Sequence, residues 1–223
     1  AGDPLLEMLA RLIGRADGSL LIVATARPEF AATRPSFVAG REGATAISLQ
    51  SLTEAEGTAL FEGLLQSVEL PGGLRREIVR TADGNPFFLE EIVLQMIDTG
   101  VIVRERDRWR ASVDNAVIAL PDTVHGVIAA RIDTLAGDDK RVLQEAAVVG
   151  RRFWLEPLSR VLTEAAVTSG LLRLEERGLV VARPTSSLSG QAEYQFKHAL
   201  VRDVAYAGLP KARRARAHAE HAV

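Results

Sequence analysis

Three positions in this sequence pair a chemically useful residue with a local context that would present it. Arg27, in Thr25-Ala26-Arg27-Pro28-Glu29, directly follows a run of apolar residues. A guanidinium is permanently charged, and its planar fork matches phosphate or carboxylate oxygens. Pro28 steers the residue before it toward an extended backbone, projecting Arg27 beyond the end of the run. In open α/β sheets, ligands bind at that carboxyl end. The competing reading is a solvated Arg paired with Glu29 or Glu42. Pro86 closes the turn Gly84-Asn85-Pro86 and suits the first position of the helix that follows. Its rigid ring either only shapes that turn or lines a flat apolar slot fit for an adenine ring. His198, in Phe196-Lys197-His198-Ala199-Leu200, opens another helix. There an imidazole can hydrogen-bond a phosphate or simply pack.

The remaining candidates are weaker. His125, His218 and His221 lie in helical patterns with no metal-ligand spacing between them, and the sequence has no Cys. Disulfides, thiolate chemistry and Cys-ligated metal are thereby excluded. Glu90 and Glu91 are adjacent, so on a helix they diverge and cannot share a proton. No G-x-S-x-G, H-E-x-x-H or G-x-x-x-x-G-K-[ST] motif occurs in the chain. Arg202, Lys211, Arg213, Arg214 and Arg216 form a basic cluster whose simplest reading is a solvated helix face.

The elements that must position these residues fall into three regions. In the first, Leu5, Leu6, Leu9, Leu12 and Ile13 recur at helical spacing up to Gly14. The run Leu20 to Ala24 has the composition of a strand buried on both faces, and Thr45 to Leu49 suggests a second, after a loop. The second region is mainly helical. It has a helix capped by Thr53, another over Leu74 to Ala82, and a third from Phe87 to Asp98. A short hairpin with Asp107 near its turn follows. The third region starts a helix at Pro121-Asp122-Thr123, with Val124, Val127, Ile128, Ile132 and Leu135 on one face. Further helices cover Val142 to Val149, Phe153 to Leu162 and Glu164 to Arg177. The strands Leu179 to Ala182 and Glu193 to Phe196 then flank a polar loop, a pattern that spells a winged helix. Two more helices, Ala199 to Leu209 and Ala212 to His221, close the chain.

Composition fits such an assembly. The chain has 223 residues, 47% hydrophobic and 25% charged, with a formal net charge of −2. A compact chain of this size buries about 70% of its unfolded surface and needs no staples. The near-neutral balance gives no general pull toward nucleic acid or anionic membrane. No apolar run approaches the ~20 residues of a membrane span. In the expected recognition helix, Arg173 and Arg177 sit among Glu164, Glu175 and Glu176. That mixed face suits packing better than the phosphate backbone of DNA.

The order of the motifs carries a further signal. LLIVATARPEF, TADGNPFFLEEIVLQMIDTGVI, LPDTVHGVIAARIDTL, DDKRVLQEAAVVGRRF and YQFKHALVRDVAYAGLPKARRARAH together resemble the STAND class of signal-transducing P-loop ATPases. The resemblance is to its bacterial branch, often joined to class III adenylate/guanylate cyclase domains or to transcriptional regulators. It implies a mainly α chain with small β elements, in four parts. Residues 1–50 would be the C-terminal remnant of the P-loop α/β core with its sensor-1 strand. Residues 51–120 would be a helical lid, 121–198 a winged helix, and 199–223 the start of a helical linker toward a repeat region. By the same resemblance, Arg27 looks like the arginine that senses the γ-phosphate, and Pro86 matches the G-x-P proline near adenine. His198 resembles the histidine that contacts the β-phosphate of ADP, although Ala199 stands where related switches often carry Asp.

The segment at residues 2–4 resembles the one just after the Walker B strand. The Walker A loop, its lysine and the Walker B acids are therefore expected outside this chain. Phosphoryl transfer needs those groups to hold the phosphates and Mg²⁺, so the chain alone is expected to be inactive and to bind ATP or ADP poorly. The parent would use ATP/ADP with Mg²⁺ in the cytoplasm. Its partners would be the upstream core and an attached effector or repeat domain. A winged-helix DNA-binding regulator and a non-catalytic interaction scaffold are the alternatives.

Overall fold

The computed structural model describes residues 3–15, 18–38, 44–65, 70, 72–105, 108–112 and 120–221. The chain divides into two compact units, residues 1–50 and 51–223. The first is helical: α1 (Asp3–Arg15), α2 (Pro28–Thr33) and α3 (Pro35–Val38). Helix α1 runs one residue past Gly14, where the sequence suggests its end. It buries Leu6 but leaves Leu5, Met8, Leu12 and Ile13 exposed.

The two strands expected in this unit do not form. Residues 19–27 and 44–50 have no regular secondary structure, and Leu21 and Leu49 are 86% and 91% exposed. An apolar, β-rich run becomes a strand only when a neighbour takes up its N–H and C=O groups. Among the described residues neither segment has a ladder partner. Among the described residues the expected remnant of an α/β sheet does not form a sheet, and two short helices follow Arg27 where the sequence reads as a loop. Pro28 explains the first: Arg27 caps α2 in an extended conformation (φ −76°, ψ 156°), with Pro at the opening of the helix. Phe30 and Phe37 meet edge to face at 5.8 Å, linking α2 to α3.

The second unit is mainly helical, with two small antiparallel sheets. It begins with α4 (Glu54–Leu65), α5 (Gly72–Thr81) and α6 (Pro86–Asp98), then the hairpin β1 (Ile102–Glu105) and β2 (Arg108–Ala111). Asp107 lies outside the described residues. A capping box starts α4. Thr53 donates from N and Oγ1 to Glu56 Oε2 (2.9 and 2.8 Å), and Glu56 N donates back to Thr53 Oγ1 (3.3 Å). The bonds from Thr53 hold the Glu56 carboxyl below its usual range. Phe61, Leu65, Ile78, Leu89, Ile92 and Met96 build a core between these helices, joined by Ile102 and Val127.

The remaining elements are α7 (Val124–Asp133), α8 (Gly137–Val149), β3 (Arg152–Trp154), α9 (Leu155–Val161) and α10 (Glu164–Glu176). They are followed by β4 (Val180–Ala182), β5 (Glu193–Phe196), α11 (Ala199–Ala207) and α12 (Lys211–His221). Thr123 caps α7 by accepting from Gly126 N (3.1 Å). The sheet order is β3-β5-β4, with Phe153 opposite Tyr194 and Val180 opposite Phe196. β3 departs from the sequence reading, in which a helix starts at Phe153. Its pairing with β5, some forty residues on, overrides the local pattern. A second core gathers Ile128, Ile132, Leu143, Leu171, Leu174 and Phe196. Among the described residues no helix is long and apolar enough to cross a membrane.

Candidate functional site

The turn between α5 and α6 has unusual backbone geometry. Asp83 (φ 47°) and Gly84 (φ 70°) are both left-handed. Leu52 N donates to Gly84 O at 2.8 Å. A Cβ on residue 84 would lie 2.5 Å from Leu52 O and 2.9 Å from Ser51 Cβ, so the close approach requires glycine. Asn85 then accepts from Phe87 N (3.0 Å) and Phe88 N (3.2 Å) through Oδ1, capping α6. Clasped in this way, residues 51–54 and the turn border a cleft of about 420 Å³. Its apolar lining includes Leu52, Val79, Ala82 and Leu89, and the exposed Arg76 and Arg80 also line it. Glu54 and Asp83 line it as well, so its charged rim carries both signs.

The three sequence-predicted residues are placed differently. Pro86 opens α6 and is exposed, and it does not line the cleft. His198 caps α11 in an extended conformation, without a side-chain cap hydrogen bond. Its ring lies 4.1 Å from that of Phe87, the residue after Pro86. Beside it, Lys197 Nζ is ion-paired with Glu90 Oε1. The start of α6 and the start of α11 are thus brought together through two side-chain pairs. Burial pushes the His198 imidazole below its ordinary pKa. The charge of Glu90 opposes this and that of Lys197 assists it. Its Nε2 is buried and has no hydrogen-bond partner. Arg27 lies in the other unit, exposed, and forms no ion pair among the described residues.

Sequence reasoning missed the most heavily bonded group. Arg131 on α7 is fully buried. It donates to Glu91 Oε2 (2.6 Å), Asp98 Oδ2 (2.9 Å) and the carbonyl of Arg177 (2.6 Å). Arg177 reaches back to Thr134 Oγ1 (3.2 Å) and lies 3.8 Å from Asp98 Oδ1. One guanidinium therefore ties α6, α7 and the end of α10. A signal existed, since Arg131 sits seven residues after Val124, inside the apolar stripe of α7. Glu90 and Glu91 do diverge, Glu90 to Lys197 and Glu91 to Arg131.

The basic cluster is more than a solvated face. Arg202 donates to Ala147 O (2.9 Å) and Arg214 to Leu209 O (2.8 Å). Their guanidinium carbons lie 4.7 and 5.0 Å from the centre of the Tyr206 ring. Tyr206 Oη also meets His218 Nε2 at 2.9 Å. On α10, Arg173 grips both Asp139 oxygens, with Nε at 3.0 and 2.9 Å. That bond raises the already high pKa of Arg173 further.

Compared with protein-family models, curated proteins and solved structures, the chain has no significant match. Among the described residues no three His, Cys, Asp or Glu side chains cluster as a metal site.

Proposed function

We propose that this chain is the lid and winged-helix part of a signal-transducing ATPase of the STAND class, closing over ADP or ATP to regulate an attached effector. The observation that carries the reading is the meeting of Phe87 with His198 and of Glu90 with Lys197. These pairs join the segment after the G-x-P turn to the histidine segment, across 107 positions between Glu90 and Lys197. The glycine-dependent cleft beside that turn supports a purine site. Helices α7, α8 and α10 followed by the β4–β5 pair support a winged helix. The commitment of Arg173 to Asp139 favours packing over DNA readout. A ligand shifts such a unit only by binding its two arrangements unequally. ADP in contact with His198 and the lid, against ATP in contact with Arg27, would supply that difference.

The test extends the polypeptide upstream along its native coding sequence. A G-x-x-x-x-G-K-[ST] loop is expected there, with bound ADP whose dissociation His198→Ala speeds at least about tenfold, a loss of about 1.4 kcal/mol. Arg27→Ala is expected to weaken ATP selectively. An upstream region without the loop, or ADP release unchanged by His198→Ala, refutes the proposal.

A further inference from the structure

The charged rim of the cleft beside Gly84 has no pairing of its own. Glu54, Arg76, Arg80 and Asp83 all line the cleft and all are exposed, and none forms an ion pair among the described residues. Asp83 differs from the other three in its backbone. Among the described residues it is the single non-glycine with a positive φ, at 47°. The turn holds it there. Asp83 N donates to Arg80 O (3.1 Å), Asn85 N to Ala82 O (2.9 Å) and Leu52 N to Gly84 O (2.8 Å). Glycine adopts such a backbone freely, whereas a residue with a Cβ is strained in it. Strain of this kind collects at ligand sites. Glu54 carries no such cost, because it opens α4, where the helix dipole favours a negative charge.

A carboxylate is an acceptor only, so whatever Asp83 recognises must bring donors. The apolar lining of the same cleft, from Leu52, Val79, Ala82 and Leu89, suits the face of a base. On a nucleoside the ribose diol presents two neighbouring hydroxyls, and the two oxygens of one carboxylate can accept from both. An acidic side chain on a ribose hydroxyl is a recurrent arrangement in nucleotide sites. We infer that Asp83 is a specificity-determining residue of this cleft. Its carboxylate accepts from the 2′- and 3′-hydroxyls of a bound ribonucleoside and so selects it over the 2′-deoxy form. The inference rests on the purine reading of the cleft. It involves neither a phosphate nor any upstream residue, so neutral nucleosides and the chain itself suffice to test it.

The experiment titrates the isotope-labelled 223-residue chain with adenosine and with 2′-deoxyadenosine, following the amide NMR signals of Leu52 and Gly84. Adenosine is expected to shift them saturably and to bind at least about fivefold tighter than 2′-deoxyadenosine, as for one hydrogen bond to a charged acceptor. Asp83→Gly is expected to bring the two affinities within about twofold of each other. The same variant is expected to melt no lower than the parent, because glycine relieves the strain at this position. Its stability separates lost recognition from a damaged fold. Equal affinity of the parent for the two nucleosides, or a preference that survives Asp83→Gly, overturns the inference and leaves the purine site standing. If neither nucleoside binds saturably, the purine reading of the cleft fails and the inference fails with it.

Discussion

Replacing Arg131 by Met tests how the second unit is held together. Met keeps most of the aliphatic volume and removes all three donated hydrogen bonds. The damage falls unevenly on the acceptors. Asp98 is 12% exposed and keeps the Arg177 guanidinium at 3.8 Å, so it finds partial compensation. Glu91 is fully buried, and its Oε1 already lacks a partner. Removing Arg131 strips the bond from Oε2 and leaves an uncompensated buried carboxylate. Breaking a buried ion pair from one side costs about 3–5 kcal/mol. With a urea slope of about 2 kcal/mol/M for a domain of this size, the midpoint falls by about 1.5–2.5 M. The companion variant Arg131→Met with Glu91→Met removes the stranded charge as well, and buried pairs replaced by apolar side chains of like volume are often neutral. It is expected to recover to within about 1 kcal/mol of the parent. Urea denaturation followed by far-ultraviolet circular dichroism, with an unchanged slope, reads both values. A single variant that loses less than about 1 kcal/mol refutes the reasoning. So does a double variant no more stable than the single one.

Two further outcomes follow from the site. His198 titrates below its ordinary value because of burial, so between the two pKa values the unfolded chain binds more protons than the folded one. Stability therefore falls as pH drops through about 6.5 toward the folded value. The charged groups that act on the ring are Glu90, Glu91, Lys197 and Arg151. His198→Phe, which keeps a ring against Phe87, is expected to make the urea midpoint less dependent on pH between about 7 and 5. An unchanged or steeper dependence refutes the assignment. Gly84→Ala places a Cβ 2.5 Å from Leu52 O at a left-handed residue and is expected to cost about 1–3 kcal/mol. Calorimetry should show a melting temperature lower by about 2–4 °C for each kcal/mol lost, and an unshifted transition would mean that the clasp is not needed.

What was legible in the sequence was whatever depends on neighbours along the chain. Asn85 before Pro86, Thr123 before Val124 and Gly178 after α10 mark helix ends through local chemistry, and each does so in the structure. The strand Glu193 to Phe196 forms over the same residues. What failed depends on partners distant in sequence. Residues 20–24 have strand composition, but composition supplies no second strand. Phe153 and Trp154 look helical until β5 arrives to pair with them. The candidate site divided in the same way. Gly84 and Asn85 were visible as turn residues, whereas Arg76 and Arg80 became part of a cleft only once α5 was packed beside the turn. Arg131 could have been found, because a charge in the middle of an apolar stripe has no inexpensive place to go except a buried counter-charge. Arg213 and Arg214 of α12 gave no such hint, since their partners Glu145 and Tyr206 lie on other helices.

Helix α7 has a consequence for how the second unit comes apart. Val127 belongs to the core built by α4, α5 and α6, while Ile128 and Ile132 belong to the core built around α8 and α10. Val124 packs against both. The two cores share a wall built mainly from this helix of ten residues, with Phe87 of α6 beside it. Melting either core uncovers a face of α7 and with it the buried Arg131. The pair is therefore expected to open as one cooperative block in hydrogen exchange, with amides of α6 and α8 released together. A chain cut between β2 and α7 would leave the N-terminal piece short of Val127, whereas the C-terminal piece would keep every buried residue of the core around α8 and α10.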